Sequence, residues 1–253
     1  MFSHAIVKTP GAELKDGITS QKGETPDVHK AKEQHRIYCE TLHSLGVEIH
    51  TIPCDNAYPD GVFVEDTAVV VKEAACITRP GADSRKGETS AVAAALGDFY
   101  SRFEAITEPG TLDGGDVLHI ENSLYVGLTE RTNAEGVEQL KKALGPLGYT
   151  VYAVPVNGLL HLKSGISYMG NNTVLAVKKV AENSCFRNYE ILTVPDHEAY
   201  AANAIDINGT IILPSGFPET NKIVQEAGFK TITIDVSEFK KVDGGLSCLS
   251  IRF

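Results

Sequence analysis

Short runs of hydrophobic residues, each interrupted by polar residues, recur five times along the chain. Their starts lie about 40 to 50 residues apart, a spacing within the range of propeller-like repeat arrays. Each run is interpreted as a strand, a polar turn and a second strand. The five segments are residues 62–71, 111–120, 160–166, 201–207 and 245–251.

Turn and helix patterns separate these hairpins. Asn171-Asn172 and Asn208-Gly209 interrupt apolar runs, and an Asn-Gly pair is typical of a two-residue hairpin turn. Between the hairpins, apolar residues recur at helical spacing, and a further strand follows each helix. The predicted helices cover residues 27–45, 88–99, 133–147 and 218–227, with following strands such as 47–52 and 231–234.

The repeating unit is therefore strand, strand, helix, strand. Five such units close into a ring only if the first strand, Ala5-Ile6-Val7-Lys8, joins the last repeat, which also protects the sheet edges. We predict a five-bladed α/β propeller around a central channel, as a single domain over residues 1–253. A doubly wound parallel sheet is the alternative, but it needs longer parallel crossovers and gives the repeat no role.

In such a ring, the start of each hairpin faces the central channel, so the polar residues at these starts share one pocket. Buried carboxylates without partners are costly, so either a cation reaches them or their pKa values rise. The residues concerned are Asp60, Glu65, Asp66, Asp113, Asp116, His161, Asn203 and Cys248.

The net charge of the protein indicates the class of ligand that it binds, and its cysteine content indicates the cellular compartment. A net charge of -10 disfavours nucleic acid and suits a cationic small molecule, although many proteins are acidic only for solubility. The five cysteines are odd in number and widely spread, which argues against a disulfide framework or a structural zinc site. No stretch has the ~20 apolar residues that span a bilayer. We expect a soluble, cytoplasmic protein without a membrane partner.

Cys248 supplies a thiol and His161 a candidate base for it. Asp113 is the candidate to orient the imidazole through its second nitrogen. The alternation of Leu249 and Ile251 predicts a strand with one buried face, which carries Cys248 inward. The competing interpretation is a buried structural cysteine and a satisfied core histidine.

Carboxylates and arginines supply the candidate binding groups. Asp60, Glu65 and Asp66 flank an apolar run over 62–64 that is predicted to be a buried strand, and grouped carboxylates hold a planar guanidinium by forked hydrogen bonds. Arg85 and Arg131 each follow the second strand of a repeat and precede a helix. They are either clamps for a substrate carboxylate or ordinary surface arginines.

Six motifs in one order resemble the dimethylarginine dimethylaminohydrolase family, also called dimethylargininases, of the guanidino-group-modifying superfamily. The resemblance runs essentially from end to end of the chain. The motifs are PDGVFVED (59–66), ITRPGADSR (77–85), GTLDGGDV (110–117), RTN (131–133), LHLKS (160–164) and GGLSCLS (244–250).

The resemblance implies the same five-fold propeller and assigns roles to the candidates. Cys248 is implied as the nucleophile, His161 as general acid and base, and Asp113 as the support of the histidine. Ile18 stands where the family usually has leucine. The implied binding residues are Asp60, Glu65 and Asp66 for the guanidinium, Arg85 and Arg131 for the carboxylate, and Ile18 with the Val242 backbone for the pocket wall.

The implied reaction is hydrolysis of asymmetric dimethylarginine and monomethylarginine to L-citrulline and dimethylamine or methylamine. It proceeds through a covalent intermediate on Cys248 and needs no cofactor or metal. Cys248 and His161 nevertheless offer ligand types that suit an inhibitory zinc ion. Family members include monomers and dimers, so both states stay open for this chain.

Three alternatives remain. An arginine deiminase would release ammonia from arginine, but that family is longer and carries an inserted helical module that this chain lacks. An amidinotransferase would need a site for an acceptor amine. A non-catalytic binding protein of the same fold would have no reason to assemble Cys248, His161 and Asp113.

Overall fold

The computed structural model describes residues 1–21 and 23–253, and Lys22 lies outside the described residues. Within them, fifteen strands form five separate three-stranded sheets. The strands are β1 (His4–Lys8), β2 (Glu48–Ile52), β3 (Ala68–Val71), β4 (Ala74–Ile77), β5 (Phe103–Ala105), β6 (Val117–Ile120), β7 (Ser123–Leu128), β8 (Thr150–Pro155), β9 (Ile166–Gly170), β10 (Thr173–Val177), β11 (Glu190–Val194), β12 (Ile205–Ile207), β13 (Thr210–Pro214), β14 (Lys230–Ile234) and β15 (Ile251–Arg252).

Helices connect the strands within each repeat. Asp27 accepts hydrogen bonds from the backbone N–H groups of His29 and Lys30, which fixes the start of the first helix as the sequence predicts. Asn133 caps the third helix in the same way, through the N–H of Gly136. The helices are α1 (Val28–Ser44), α2 (Thr89–Leu96), α3 (Ala134–Leu144), α4 (Lys178–Ala181), α5 (Pro218–Glu226) and α6 (Ser237–Lys240).

Each sheet combines one antiparallel and one parallel pairing. In the second complete repeat, β6 pairs antiparallel with β7, and β7 pairs parallel with β8. A parallel pair needs a crossover connection, which α3 supplies here. The predicted unit of strand, strand, helix and strand is confirmed. Five separate sheets exclude the alternative of one doubly wound sheet, and the fold is a five-repeat α/β propeller.

The two ends of the described chain close the ring. β1 lies between β15 and β2, with Ala5 opposite Arg252 and Ile6 opposite Ile251. The predicted closure by the first strand is therefore confirmed. Ile6 and Ile251 are buried, and they pack with Val92 and Leu96 of α2.

The prediction that each hairpin segment begins with a strand is wrong. Residues 62–64 are buried as expected, but they form no strand, and Val64–Thr67 is a short 3₁₀ helix. A 3₁₀ helix turns every three residues, so adjacent side chains point in different directions, whereas in a strand they only alternate between two faces. A 3₁₀ helix precedes the first strand of every repeat: Val64–Thr67, Gly114–Asp116, Leu162–Ser164, Asp196–Ala202 and Ser247–Leu249.

Across the described residues, no helix has both the length and the apolar character needed to cross a membrane.

We predict that ring closure contributes strongly to stability. Ile6→Ala removes a fully buried side chain at the junction of β1 and β15. Such a change is expected to lower the free energy of unfolding by about 2–5 kcal/mol, measured by denaturant unfolding. Ile37→Ala, at a position that is 37% exposed, is the control and should change it by less than about 0.5 kcal/mol. Equal effects of the two substitutions would contradict this account.

Candidate active site

A small cavity of about 30 Å³ lies among the turns that precede the first strands. It has little more room than one or two water molecules need, so a ligand of amino-acid size requires its wall to move. Nine of the ten residues predicted for catalysis or binding line it, and Glu65 is the exception. Asp116 and Asn203, which are also predicted to share this pocket, do not line it. The lining residues are Ile18, Asp60, Phe63, Asp66, Arg85, Asp113, Arg131, Leu160, His161, Val242, Asp243, Gly244 and Cys248.

Cys248 lies in the 3₁₀ helix Ser247–Leu249, and the backbone holds its sulfur in place. The N–H of Gly245 donates to Sγ at 3.4 Å. Asn203, from the neighbouring repeat, accepts from the N–H of Ser247 at 2.9 Å and donates to its Oγ at 2.9 Å. A Cβ atom on Gly245 would lie 2.5 Å from Asn203 Oδ1, so the close approach of this turn to Asn203 requires glycine.

His161 and Asp113 form a buried pair. His161 Nε2 and Asp113 Oδ2 are 2.9 Å apart, and Asp66 Oδ1 lies 3.9 Å from the same nitrogen. The other oxygen of Asp113 accepts from the N–H of Gly81 at 2.8 Å, which fixes the carboxylate plane. Asp113 therefore fixes the orientation of the imidazole through Nε2.

Opposing effects set the protonation of His161. Burial lowers the pKa of the imidazole, but the charge of Asp66 and the hydrogen bond to Asp113 outweigh it and raise the pKa to about 9. Burial also disfavours the charged form of Asp66, yet the charges of His161 and Arg85 lower its pKa to about 2. The resting site therefore holds an imidazolium beside an ionised carboxylate at neutral pH.

For the thiol of Cys248, burial and the neighbouring charges all favour the neutral form. Burial raises its pKa to about 12, and the negative charges of Glu65 and Asp66 act in the same direction. Cys248 is consequently a neutral thiol in the absence of a ligand. A cation placed between the sulfur and these carboxylates would favour the thiolate.

Arg85 is buried and connected to several acceptors. Its Nη1 donates to Asp66 at 2.5 Å, and its Nη2 donates to Glu88 at 2.7 Å and to the Phe63 carbonyl at 2.9 Å. Arg85 therefore holds Asp66 ionised beside His161. Arg131 is half-buried, and its guanidinium makes no hydrogen bond or ion pair with any described residue.

The segment around Ile18 covers the cavity. The N–H of Ile18 donates to Asp60 Oδ1 at 3.0 Å, and Ser20 donates to Asp243 through its N–H at 2.5 Å and its hydroxyl at 3.1 Å. Val242 packs beneath this segment as part of the same wall. These polar contacts tie the segment to Asp60 and Asp243, two of the residues that line the cavity.

Glu65 is directed into a second, larger cavity of about 440 Å³ and does not line the one that contains Cys248. Its carboxylate meets Lys163 at 2.7 Å and Arg252 at 3.1 Å, and it accepts from Ser247 Oγ at 2.7 Å. The carboxylate of Glu65 is thus already paired with side chains of the protein itself. The expectation that it contacts a guanidinium directly does not match this position, because the 3₁₀ turn points Glu65 and Asp66 to different sides.

Four lining residues were not predicted from the sequence: Phe63, Leu160, Asp243 and Gly244. Phe63, Leu160 and Gly244 lie within the quoted motifs. Asp243 has a φ of 56°, a conformation that occurs in turns. The Asp243-Gly244 pair is typical of a turn and is the sequence signal that could have identified this position.

Three side chains of kinds that can bind a metal ion lie together in this site. Asp66, Asp113 and His161 have potential ligand atoms within 4.8 Å of one another. Arg85 and the Gly81 amide already occupy oxygens of the two carboxylates. Cys248 does not belong to this group, and the inhibitory zinc ion on Cys248 and His161 stays a prediction.

Comparison with known proteins identifies the family. The family described as "N,N dimethylarginine dimethylhydrolase, eukaryotic" matches residues 15–251. The chain belongs to the dimethylarginine dimethylaminohydrolase family. It is 40% identical to the N(G),N(G)-dimethylarginine dimethylaminohydrolase of Pseudomonas aeruginosa, with all of both chains aligned.

Solved structures agree with this membership. The crystal structure of the Pseudomonas aeruginosa enzyme, a cysteine-to-serine mutant in complex with citrulline, superposes with a TM-score of 0.98 at 40% identity over all of both chains. The N-terminal domain of ArgZ, a cyanobacterial arginine dihydrolase, has a TM-score of 0.88 at 19% identity, covering 100% of this chain and 97% of that one. The latter similarity concerns the fold alone.

We predict that Asp66 is the main reason for the high pKa of His161 in this family member. Asp66→Asn removes the charge that contributes most to keeping the imidazole protonated, so the titration midpoint should fall below the wild-type value of about 9. NMR of the ¹³C-labelled imidazole measures both midpoints. Asp98→Asn, an exposed position outside the cavity, is the control and should leave the midpoint unchanged. An unchanged midpoint in folded Asp66→Asn would disprove the assignment.

Proposed function

We propose that this protein hydrolyses N-omega-methylated arginines, namely asymmetric dimethylarginine and monomethylarginine, to L-citrulline and dimethylamine or methylamine. The observation that carries the proposal is the convergence of Cys248, the His161–Asp113 pair and two carboxylates on one cavity. The identity of 40% to the Pseudomonas aeruginosa dimethylarginine dimethylaminohydrolase, over the full length of both chains, supports the same reaction.

Substrate binding uses acidic and basic side chains that line the cavity. Asp66 and Asp60 receive the guanidinium through charge-assisted hydrogen bonds, which keep it planar. Arg131 is the arginine whose donors are available to the α-carboxylate, and Arg85 contributes a second positive charge. Ile18 closes over the substrate once it is bound. These contacts place the guanidinium carbon next to the Cys248 sulfur.

The first half-reaction forms a covalent intermediate. Binding of the cationic substrate offsets the carboxylate charges that keep the thiol neutral, and the Cys248 proton leaves to solvent. The thiolate attacks the guanidinium carbon and gives a tetrahedral adduct. Protonated His161 donates its proton to the departing dimethylamine, and the carbon–nitrogen bond breaks to leave an S-alkylthiouronium on Cys248.

The second half-reaction returns the enzyme to its starting state. His161 is now neutral and takes a proton from water as the water oxygen attacks the thiouronium carbon. The second tetrahedral adduct collapses, the carbon–sulfur bond breaks, and L-citrulline leaves. Cys248 departs as a thiolate, and the hydroxyl proton of the adduct passes to it through solvent as the ureido carbonyl forms. His161 keeps the proton that it took from water, so the resting charges are restored.

Glu65 is assigned here to positioning and not to substrate contact. Its hydrogen bond from Ser247 and its ion pairs with Lys163 and Arg252 hold the turn that carries Cys248. Because its charge also raises the pKa of Cys248, Glu65 contributes to keeping the resting thiol neutral.

The remaining parts of the proposal concern context. All five cysteines are free thiols, which supports a reducing compartment such as the cytoplasm. The substrate is a small methylated arginine, and the oligomer is a monomer or a homodimer.

We predict that the purified protein converts asymmetric dimethylarginine to citrulline and dimethylamine. Cys248→Ser should lower the rate by at least about a thousandfold, because it removes the nucleophile. A ureido colour test measures citrulline, and chromatography measures the released amine. Cys54→Ser replaces an exposed cysteine outside the cavity and should retain wild-type activity.

Two outcomes would contradict the assigned reaction. Ammonia released from unmethylated arginine alone would indicate an arginine deiminase of short length. The absence of citrulline from either substrate, with the fold intact by circular dichroism, would indicate a different guanidine substrate or a non-catalytic binding protein.

We also predict that the resting thiol of Cys248 is neutral at pH 7. Its pKa is raised to about 12, so the thiolate absorbance at 240 nm, taken as wild type minus Cys248→Ser, should rise only at alkaline pH. The same difference spectrum is measured across pH on folded protein. A midpoint below ~6 would mean that the thiol is ionised before substrate binds.

A further inference from the structure

A second set of three side chains that can bind a metal ion lies on the sheet formed by β15, β1 and β2, which closes the ring. His4 is on β1, and Glu48 and His50 are on β2, with His4 directly opposite Glu48 in the parallel register. Glu48 and His50 are two residues apart, so both side chains are on the same face of the sheet as His4. None of the three lines the cavity that contains Cys248.

The three side chains converge closely. His4 Nδ1 and His50 Nε2 are 3.1 Å apart. The carboxylate of Glu48 spans both rings, with Oε2 3.8 Å from His4 Nδ1 and Oε1 3.9 Å from His50 Nε2. Two ligands at 2.0–2.1 Å from a tetrahedral zinc ion lie about 3.3 Å apart. The two ring nitrogens already have about this separation, and the Glu48 carboxylate must approach them by roughly half an ångström or more to reach coordinating distance.

Aromatic packing holds the two imidazoles in this arrangement. The ring of Phe99, just beyond α2, lies 4.7 Å from the His50 ring and 5.1 Å from the His4 ring. Phe253 lies 5.6 Å from His4 on the same face. The rings are therefore ordered before an ion binds, which reduces the entropy lost on binding.

The site is also open to solvent. The side chains of His4 and His50 are about one-third exposed, at 31% and 28%, and that of Glu48 is 68% exposed. An ion can therefore enter without movement of the backbone. Two imidazoles and one carboxylate leave a fourth position of a tetrahedral ion for water.

We propose that His4 Nδ1, His50 Nε2 and the Glu48 carboxylate form a binding site for one divalent zinc ion on the outer surface of the propeller. Imidazole and carboxylate together suit zinc and not the harder magnesium or calcium ions, which take only oxygen ligands. The bound ion links β1 to β2, and β1 is the strand that closes the ring. Because the unfolded chain lacks this arrangement, zinc binding stabilises the folded protein.

The test is a titration with zinc chloride by isothermal calorimetry at pH 7. The parent protein is Cys248→Ser, so that no catalytic thiolate takes part. We expect the parent to bind zinc at this site, and His50→Ala to weaken that binding at least tenfold. The matched control is His197→Ala, since His197 is an exposed histidine 3.3 Å from Glu219 but belongs to no group of three ligands among the described residues.

A second measurement distinguishes ligation from a general effect of the substitution. Excess zinc should raise the melting temperature of the parent and of His197→Ala, and this rise should be lost in His50→Ala and in Glu48→Gln. Circular dichroism confirms that each variant is folded. Zinc binding by folded His50→Ala with the affinity of the parent, or no zinc binding by the parent, would overturn the proposal. Neither result depends on which substrate the enzyme uses.

Discussion

The arrangement of the catalytic centre depends on neutralising carboxylates that the fold buries at the ring axis. Asp66 lies between the guanidinium of Arg85 and the imidazole of His161, and both cations keep it ionised. The same charge keeps His161 protonated and Cys248 neutral. A buried carboxylate without these partners would be costly. One electrostatic balance thus stabilises the site and sets the resting protonation of His161 and Cys248, the two proposed catalytic groups.

Glu65 shows how the fold separates two kinds of acidic residue that are adjacent in sequence. The 3₁₀ turn over Val64–Thr67 points Asp66 to the catalytic cavity and Glu65 to the cavity on its other side. Lys163 and Arg252 neutralise Glu65, as Arg85 and His161 neutralise Asp66. The wall between the cavities is therefore a layer of paired charges, and this layer holds the turn that carries Cys248.

Much of the fold follows from the sequence, because the repeat is visible in the spacing of apolar segments and the helices have capping residues such as Asp27 and Asn133. The sequence also identifies most of the residues around the cavity, but it places Glu65, Asp116 and Asn203 there as well, and none of these three lines it. The 3₁₀ turns could not be predicted, since residues 62–64 are apolar and buried in either conformation. The short α4 and the contacts of Ser20 with Asp243 depend on tertiary geometry, which local patterns do not encode.

Ring closure by β1 and β15 has a consequence for when the protein acquires activity. Cys248, the proposed nucleophile, lies three residues before the strand that pairs with β1. His161, Asp66 and Arg85 belong to other repeats, so the pocket exists only after residues at opposite ends of the described chain have met. Contacts of such high sequence separation form late, because loop closure opposes them. The cavity is therefore complete only when the fifth sheet has formed, and catalytic turnover reports on the closed ring.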